Sequence, residues 1–321
     1  KIAIVPDVYP LIWPFIVLTV SIWATPDREF PKNTNNNKNI FTCFMVILFL
    51  TEFSLLFTVS ISPVMRIFTI LFIVNLYFLC GYSQEPVTYL TGNPADVHTA
   101  ASAGLLLMGG STDVDAAIKW FLNRAAGGDV VVIRARGADG YNKYMFDLAA
   151  VNSVETIIID SRAKADMASV VTKIRNAEAL FIAGGDQSNY VNFWKNTATS
   201  DAINYLINTK KVMVGGTSAG LAILGSAYYS AEFESATSLE TLADPYHKNV
   251  TLGDHDFLSA PFLNNTITDS HYTQRDRQGR HIGFMARIIK DFNATIIKGI
   301  GVDEKTALCI DENGIGTVFG T

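Results

Sequence analysis

The sequence predicts an α/β fold built on a buried, mostly parallel sheet. Three observations predict it. From Gly104 onward, short apolar runs alternate with stretches of helical period. The runs carry almost no polar residues, as expected of strands covered on both faces rather than one. Three of them close on paired glycines, Gly109-Gly110, Gly184-Gly185 and Gly215-Gly216, where tight turns and close backbone approach favour a residue without Cβ.

Glu85 to Ala101 reads as a linker or an irregular lead-in strand. Gly104 to Met108 is the first apolar strand. Asp113 to Ala126 has Val114, Ile118, Phe121 and Leu122 at helical spacing and stops at Gly127-Gly128. Val130 to Ile133 is a β-branched strand. Tyr144 to Val151 is helical, and Thr156 to Ile159 is the next strand. Ala165 to Asn176 puts Met167, Val170, Val171 and Ile174 on one helical face. Ala179 to Ile182 is a strand, Asp201 to Asn208 a helix, and Lys211 to Val214 a strand that runs into Gly215-Gly216. The sequence contains no internal repeat. Ligands of such sheets bind beyond the carboxyl ends of the strands.

Composition narrows the function. The chain has 321 residues, 25 basic and 30 acidic, a net charge of −5. Such a balance offers no footprint for a polyanion, so no nucleic-acid partner is expected. Mean hydropathy is nevertheless +0.23. The excess lies at the front, where Lys1 to Gln84 holds only five basic and four acidic residues. Leu11 to Ala24, Phe41 to Ile61 and Ile67 to Leu79 are apolar. Met65-Arg66 before the last run, and Gly81-Tyr82-Ser83 after it, have the order of a secretory signal peptide. Residues 65–84 are therefore read as a signal peptide, with a membrane anchor as the alternative. Residues 1–64 are read as an upstream extension outside the mature protein. The catalytic unit is 85–321 and the expected location is exported, periplasmic or extracellular. Cys309 is then the sole cysteine of the mature chain, and no intramolecular disulfide is expected.

The strongest chemical signal follows the strand at Val214. Gly216-Thr217-Ser218-Ala219-Gly220 is G-x-S-x-G between a strand and the apolar run Leu221 to Leu224. That is the setting of a nucleophile elbow. Small flanking residues allow the sharp turn that lifts the Ser218 hydroxyl clear of the sheet. The turn also sets the Ala219 N–H at a helix start, aimed to stabilise an oxyanion.

A serine nucleophile needs a base, and the chain has five histidines. His98 lies in the lead-in. His247 and His255 sit in a polar loop with Asp244, Asp254 and Asp256, in no spacing that marks a metal site, and no metal is expected. His271 follows a strand end and precedes three arginines in six residues, Arg275, Arg277 and Arg280. Guanidinium groups so clustered suit bidentate capture of carboxylates. The later acids Asp303 and Glu304 follow every histidine. The order is serine, histidine, acid, unlike the α/β-hydrolases, which place histidine last. Neither Gly109-Gly110 nor Gly184-Gly185 continues into a nucleotide-binding motif, and no cofactor is expected.

Four motifs in order carry a resemblance: Gly184-Gly185-Asp186-Gln187, Gly215 to Gly220, Asp269 to Arg280, and Gly299 to Ala307. They resemble cyanophycinases, serine peptidases whose family also contains the aspartyl dipeptidase peptidase E. The resemblance runs from about Leu105 to the end. It implies a flavodoxin-like, doubly wound sheet with helices on both faces, related to class I glutamine amidotransferases. It implies Ser218 as nucleophile, His271 as base and Glu304 as the triad acid. It places Gln187, Asp269, Arg275, Arg277 and Arg280 at the substrate, and an N–H of Gly185 beside that of Ala219 at the oxyanion. Ser270 stands where cyanophycinases often carry Gln, and Asp291 to Thr295 reads as an insertion. The chain stops at Thr321, where further strands are expected.

The implied activity is exopeptidase cleavage of cyanophycin-like or isoaspartyl peptides to β-aspartyl-arginine-type dipeptides, through an acyl-enzyme. A peptidase E-like aspartyl dipeptidase and a noncatalytic exported binding protein are the alternatives. The peptide substrate is the expected partner, with a homodimer and a membrane tether through the N-terminal segment as further ones.

Overall fold

A computed structural model of the chain describes residues 85–320. The three apolar runs, the signal-peptide reading of 65–84 and the membrane tether lie outside the described residues. No helix among the described residues is long and apolar enough to cross a membrane.

In chain order the elements begin with β1 (Thr88–Gly92), β2 (Gly104–Met108), α1 (Asp115–Asn123), β3 (Asp129–Arg134), α2 (Asn142–Leu148) and β4 (Ser153–Ile158). Then come α3 (Arg162–Ala165), α4 (Ala168–Asn176), β5 (Ala179–Ile182), α5 (Gln187–Trp194), α6 (Ala198–Tyr205), β6 (Met213–Thr217) and α7 (Ala219–Ala222). The last part holds β7 (Ala227–Tyr229), α8 (Ser238–Ala243), β8 (Leu252–Asp254), β9 (Thr266–Asp269), α9 (Gln278–Asp291), β10 (Lys298–Gly301), β11 (Thr306–Asp311) and β12 (Gly316–Gly320).

Eight strands form the main sheet, in the order β1-β4-β3-β5-β6-β2-β11-β12. The run β4-β3-β5-β6-β2 is parallel throughout. Strands β3 to β6 occupy the 2-1-3-4 places of a flavodoxin-like sheet, and β2, first of the five in the chain, fills the fifth. Antiparallel strands close both edges, β1 against β4 on one side, β11 against β2 and β12 against β11 on the other.

Alternation along β2 shows why both faces are covered. Leu105 and Leu107 join one core with Ile182, Val214, Trp194 and Leu206, under α4 to α7. Leu106 and Met108 join the other with Phe121, Phe181 and Met213, under α1 and α2. Successive strand side chains point to opposite faces, so an apolar run without breaks fills both cores.

A second sheet, β10-β9-β7-β8, continues from the carboxyl side of the first. Tyr228, Phe257 and Leu263 from this region share the first core. Its strands are three or four residues long, too short for periodicity to declare them.

Two expectations change and one alternative is decided. The helix expected over 165–176 is two pieces, α3 and α4, separated at Asp166 and Met167. Of the two readings of the lead-in, the strand holds over Thr88–Gly92, where β1 pairs with Ser153 to Ile157 of β4. The arginine-rich turn after His271 ends early: α9 starts at Gln278, and His281, Phe284 and Ile288 make a helical stripe facing inward.

The elbow depends on two glycines. A Cβ on Gly220 would sit 2.1 Å from the Ile182 carbonyl oxygen, and one on Gly216 would sit 2.5 Å from the Gly220 carbonyl carbon. Both obstacles are backbone, so neither can yield. Gly220→Ala is therefore expected to destabilise by about 1–3 kcal/mol, read as a drop in melting temperature by circular dichroism. Gly140, with nothing within 4 Å of a built Cβ, is the matched control: Gly140→Ala is expected to leave the melting temperature unchanged.

Candidate active site

Ser218 sits between β6 and α7 at φ 53°, ψ −112°, a backbone conformation that L-residues rarely adopt and that the surrounding fold must hold. Its Oγ lies 2.8 Å from His271 Nε2. His271 Nδ1 lies 2.6 Å from Glu304 Oε1. The relay Ser218, His271, Glu304 is thus assembled from the ends of β6, β9 and β10. His271 also has positive φ, 45°.

The end of β2 ties these three segments together. Ser218 N–H donates to the Met108 carbonyl at 2.9 Å, and His271 N–H to the Gly109 carbonyl at 2.9 Å. Lys305 N–H donates to the Gly110 carbonyl at 3.2 Å, while Gly109 N–H donates to the Thr306 carbonyl at 2.9 Å. The approach is too close for side chains. A Cβ on Gly109 would sit 2.0 Å from the Asp303 oxygen, and one on Gly110 would sit 2.6 Å from the His271 ring. Gly110 also has φ +101°. These two glycines, read from sequence as turn residues, are the framework of the site.

Asp303 and Glu304 were equal candidates on spacing alone, and the structure separates them. Asp303 Oδ1 accepts the Thr273 N–H at 2.7 Å. Glu304 takes the imidazole, and its own N–H donates to Gln274 Oε1 at 3.0 Å. Gln274 is a positioning residue that sequence reasoning left without a role.

Electrostatics suits the histidine to act as a base. Burial lowers the pKa of His271 below its ordinary value, with the hydrogen bond to Glu304 opposing it and the Arg275 charge adding to the lowering. The same hydrogen bond holds Glu304 below the usual carboxylate range. At neutral pH the imidazole is therefore uncharged and the carboxylate ionised.

The residues expected at the substrate divide. Arg275 has its side chain 54% exposed, with Nε 4.0 Å from Glu304 Oε1, so its guanidinium is open to a ligand. Gln187 is the first residue of α5, directly after Gly184-Gly185-Asp186, and is half-buried. Gly184 packs against Ser218: a Cβ there would be 3.5 Å from that of the serine. Gly185 is exposed, and Ala219 is the first residue of α7.

Arg280 and Asp269 are a correction. Arg280 is 1% exposed and Asp269 3%. Arg280 Nε donates to Asp269 Oδ2 at 2.8 Å and Nη2 to Oδ1 at 2.7 Å. Its Nη1 reaches Ser235 Oγ and the Ala236 carbonyl, both at 3.1 Å. With its donors engaged and no surface, this guanidinium meets the protein rather than a substrate. Its position in the first turn of α9, not in the preceding turn, is the physical reason. Arg277 is intermediate. Its Nη1 donates to Asp269 Oδ1 at 3.2 Å and to the Ser270 carbonyl at 2.9 Å, and burial holds its pKa down to about 10. Both arginines brace the peptide that carries His271.

His247 and His255 do not join this site. His255 pairs with Asp254 at 2.7 Å, and no cluster of three or more His, Cys, Asp or Glu able to hold a metal occurs among the described residues.

Two outcomes follow. The acid limb of kcat/KM is expected to inflect below pH 6.5, since activity is lost as falling pH protonates His271 through its lowered pKa. Glu304→Gln removes a group that raises that pKa. The limb should move further to acid while the plateau falls by about 10²–10⁴-fold. Gly110→Ala should lower kcat/KM by about 10²-fold, because displacing the ring by a fraction of an ångström spoils its reach to Ser218. A full pH–rate profile of each variant checks both.

The profile of peptidase family S51 matches residues 105–318. Among curated proteins, the cyanophycinase of Synechococcus elongatus is 25% identical over 208 residues, covering 62% of this chain and 59% of that protein. The cyanophycinase of Nostoc sp. is 24% identical over 176 residues, covering 55% and 53%. The chain thus spans a little over half the length of these curated relatives. A solved structure of a peptidase from an acI-B1 Actinobacterium gives a TM-score of 0.47 at 16% identity, over 69% of this chain and 89% of that one. The matched span takes in Ser218, His271 and Glu304, and the chain belongs to peptidase family S51.

Proposed function

We propose that the chain is a serine-type peptidase acting on cyanophycin-like or isoaspartyl peptides and releasing β-aspartyl-arginine-type dipeptides. The observation that carries this reading is the unbroken relay from Ser218 Oγ through His271 to Glu304, at 2.8 and 2.6 Å. The substrate class draws support from the cyanophycinases among its relatives and from the exposed Arg275 guanidinium beside the relay.

In this mechanism His271 Nε2 accepts the Ser218 hydroxyl proton as Oγ attacks the peptide carbonyl carbon. Glu304 holds the tautomer with its proton on Nδ1 and stabilises the imidazolium that forms. Negative charge gathers on the carbonyl oxygen, between the N–H groups of Ala219 and Gly185. The intermediate collapses as the imidazolium donates its proton to the leaving amine. Water, deprotonated by His271, then hydrolyses the ester on Ser218. Arg275 and Gln187 would receive a substrate carboxylate.

The reading is tested by incubating residues 85–321 with cyanophycin and with α- and β-aspartyl dipeptides, followed by mass spectrometry of the products. Cyanophycin is expected to yield β-aspartyl-arginine, and Ser218→Ala is expected to lower turnover by about 10⁴-fold or more with the melting temperature retained. Turnover surviving in Ser218→Ala, or product from α-aspartyl dipeptides alone, would overturn it.

A further inference from the structure

We propose that Asp113, with Thr217 behind it, receives an N–H-donating cation of the substrate, a guanidinium or an ammonium group. The inference rests on the peptidase reading only for what carries the cation there. Asp113 lies three residues beyond Gly110, where a Cβ would meet both the His271 ring and Ser218. It is half-buried, and its Oδ1 is buried with no hydrogen-bond partner. It enters none of the ion pairs found among the described residues, whereas Asp269 has two arginines and Glu304 has His271 and Arg275. A carboxylate taken from water without a counter-ion is costly unless something meets it. Its surroundings do not supply the charge. Burial pushes the carboxyl pKa up, a neutral hydrogen bond with the Tyr141 hydroxyl opposes it only in part, and Asp115 adds a like charge.

A second atom points to the same place. Thr217, the residue before the nucleophile, is 4% exposed, and its Oγ1 has no partner. Along β6, Met213 faces the core under α1 and α2, so Thr217, four residues on, shares that face. Thr217 pairs in register with Met108, whose sulfur accepts the N–H of Val114, the neighbour of Asp113. Thr217, directly before Ser218, and the residue after Asp113 are therefore tied to one side of the sheet's carboxyl edge. Arg275 stands beside the relay as the cationic counterpart. A substrate bearing both a carboxylate and a cation would meet complementary charge at each.

The test separates binding from turnover by using Ser218→Ala protein. Its affinity for β-aspartyl-arginine and for β-aspartyl-citrulline, the uncharged isostere, is measured by titration calorimetry. A charge-assisted pair is expected to make the arginine peptide about tenfold tighter. Asp113→Asn should bring the ratio close to one, and Thr217→Val should reduce it severalfold, both at unchanged melting temperature. Equal affinity for the two peptides, no measurable binding of either, or an undiminished arginine preference in Asp113→Asn overturns the proposal. If Asp113→Asn unfolds, an undiminished preference in Thr217→Val does so instead. Absence of hydrolysis by the wild-type chain would strike the peptidase reading alone, since these affinities need no chemistry.

Discussion

The structure depends on the close approach of three loops to the last residues of β2. Met108, Gly109 and Gly110 offer consecutive carbonyls to Ser218, His271 and Lys305. One short stretch of backbone therefore sets the positions of Ser218, His271 and the residue after Glu304. The approach works only because two residues there lack Cβ, with the Asp303 carbonyl and the His271 ring occupying the space a side chain would need. Both Ser218 and His271 hold positive φ, and each has its N–H fixed to this stretch. Strain of that kind persists only where several contacts over-determine it.

Charge is arranged around the same frame. The buried Asp269–Arg280 pair and Arg277 lie directly behind the peptide of His271. Removing one member would leave a charge buried without a partner, the costly way to break such a pair. Their arrangement makes the turn rigid rather than receptive. Arg275, more than half exposed beside Glu304, is by contrast open to solvent.

Much of this was legible in the sequence. Strands β2, β3, β5 and β6 are dense apolar runs, and β-branching with glycine punctuation marks them. Ser218 announced itself through small residues between a strand and a helix. Two things were hidden for physical reasons. Strands β7, β8 and β10 are three or four residues long and owe their form to partners distant in sequence rather than to local pattern. The roles within Asp269 to Arg280 depend on where the turn becomes a helix. A start at Gln278 swings Arg280 inward onto Asp269, although the spacing of His281, Phe284 and Ile288 carried the signal for that helix. The choice between Asp303 and Glu304 likewise needed the backbone, because adjacent residues present side chains in different directions.

The central claim is that His271 activates Ser218 as a nucleophile. The most direct measurement is the rate and site of covalent modification by a fluorophosphonate reagent, followed by peptide mass mapping across pH. A single adduct on Ser218 is expected, forming at a rate that rises with pH through an inflection below 6.5 and that collapses in His271→Ala. No adduct on Ser218, or an adduct there whose rate ignores the loss of His271, would contradict it.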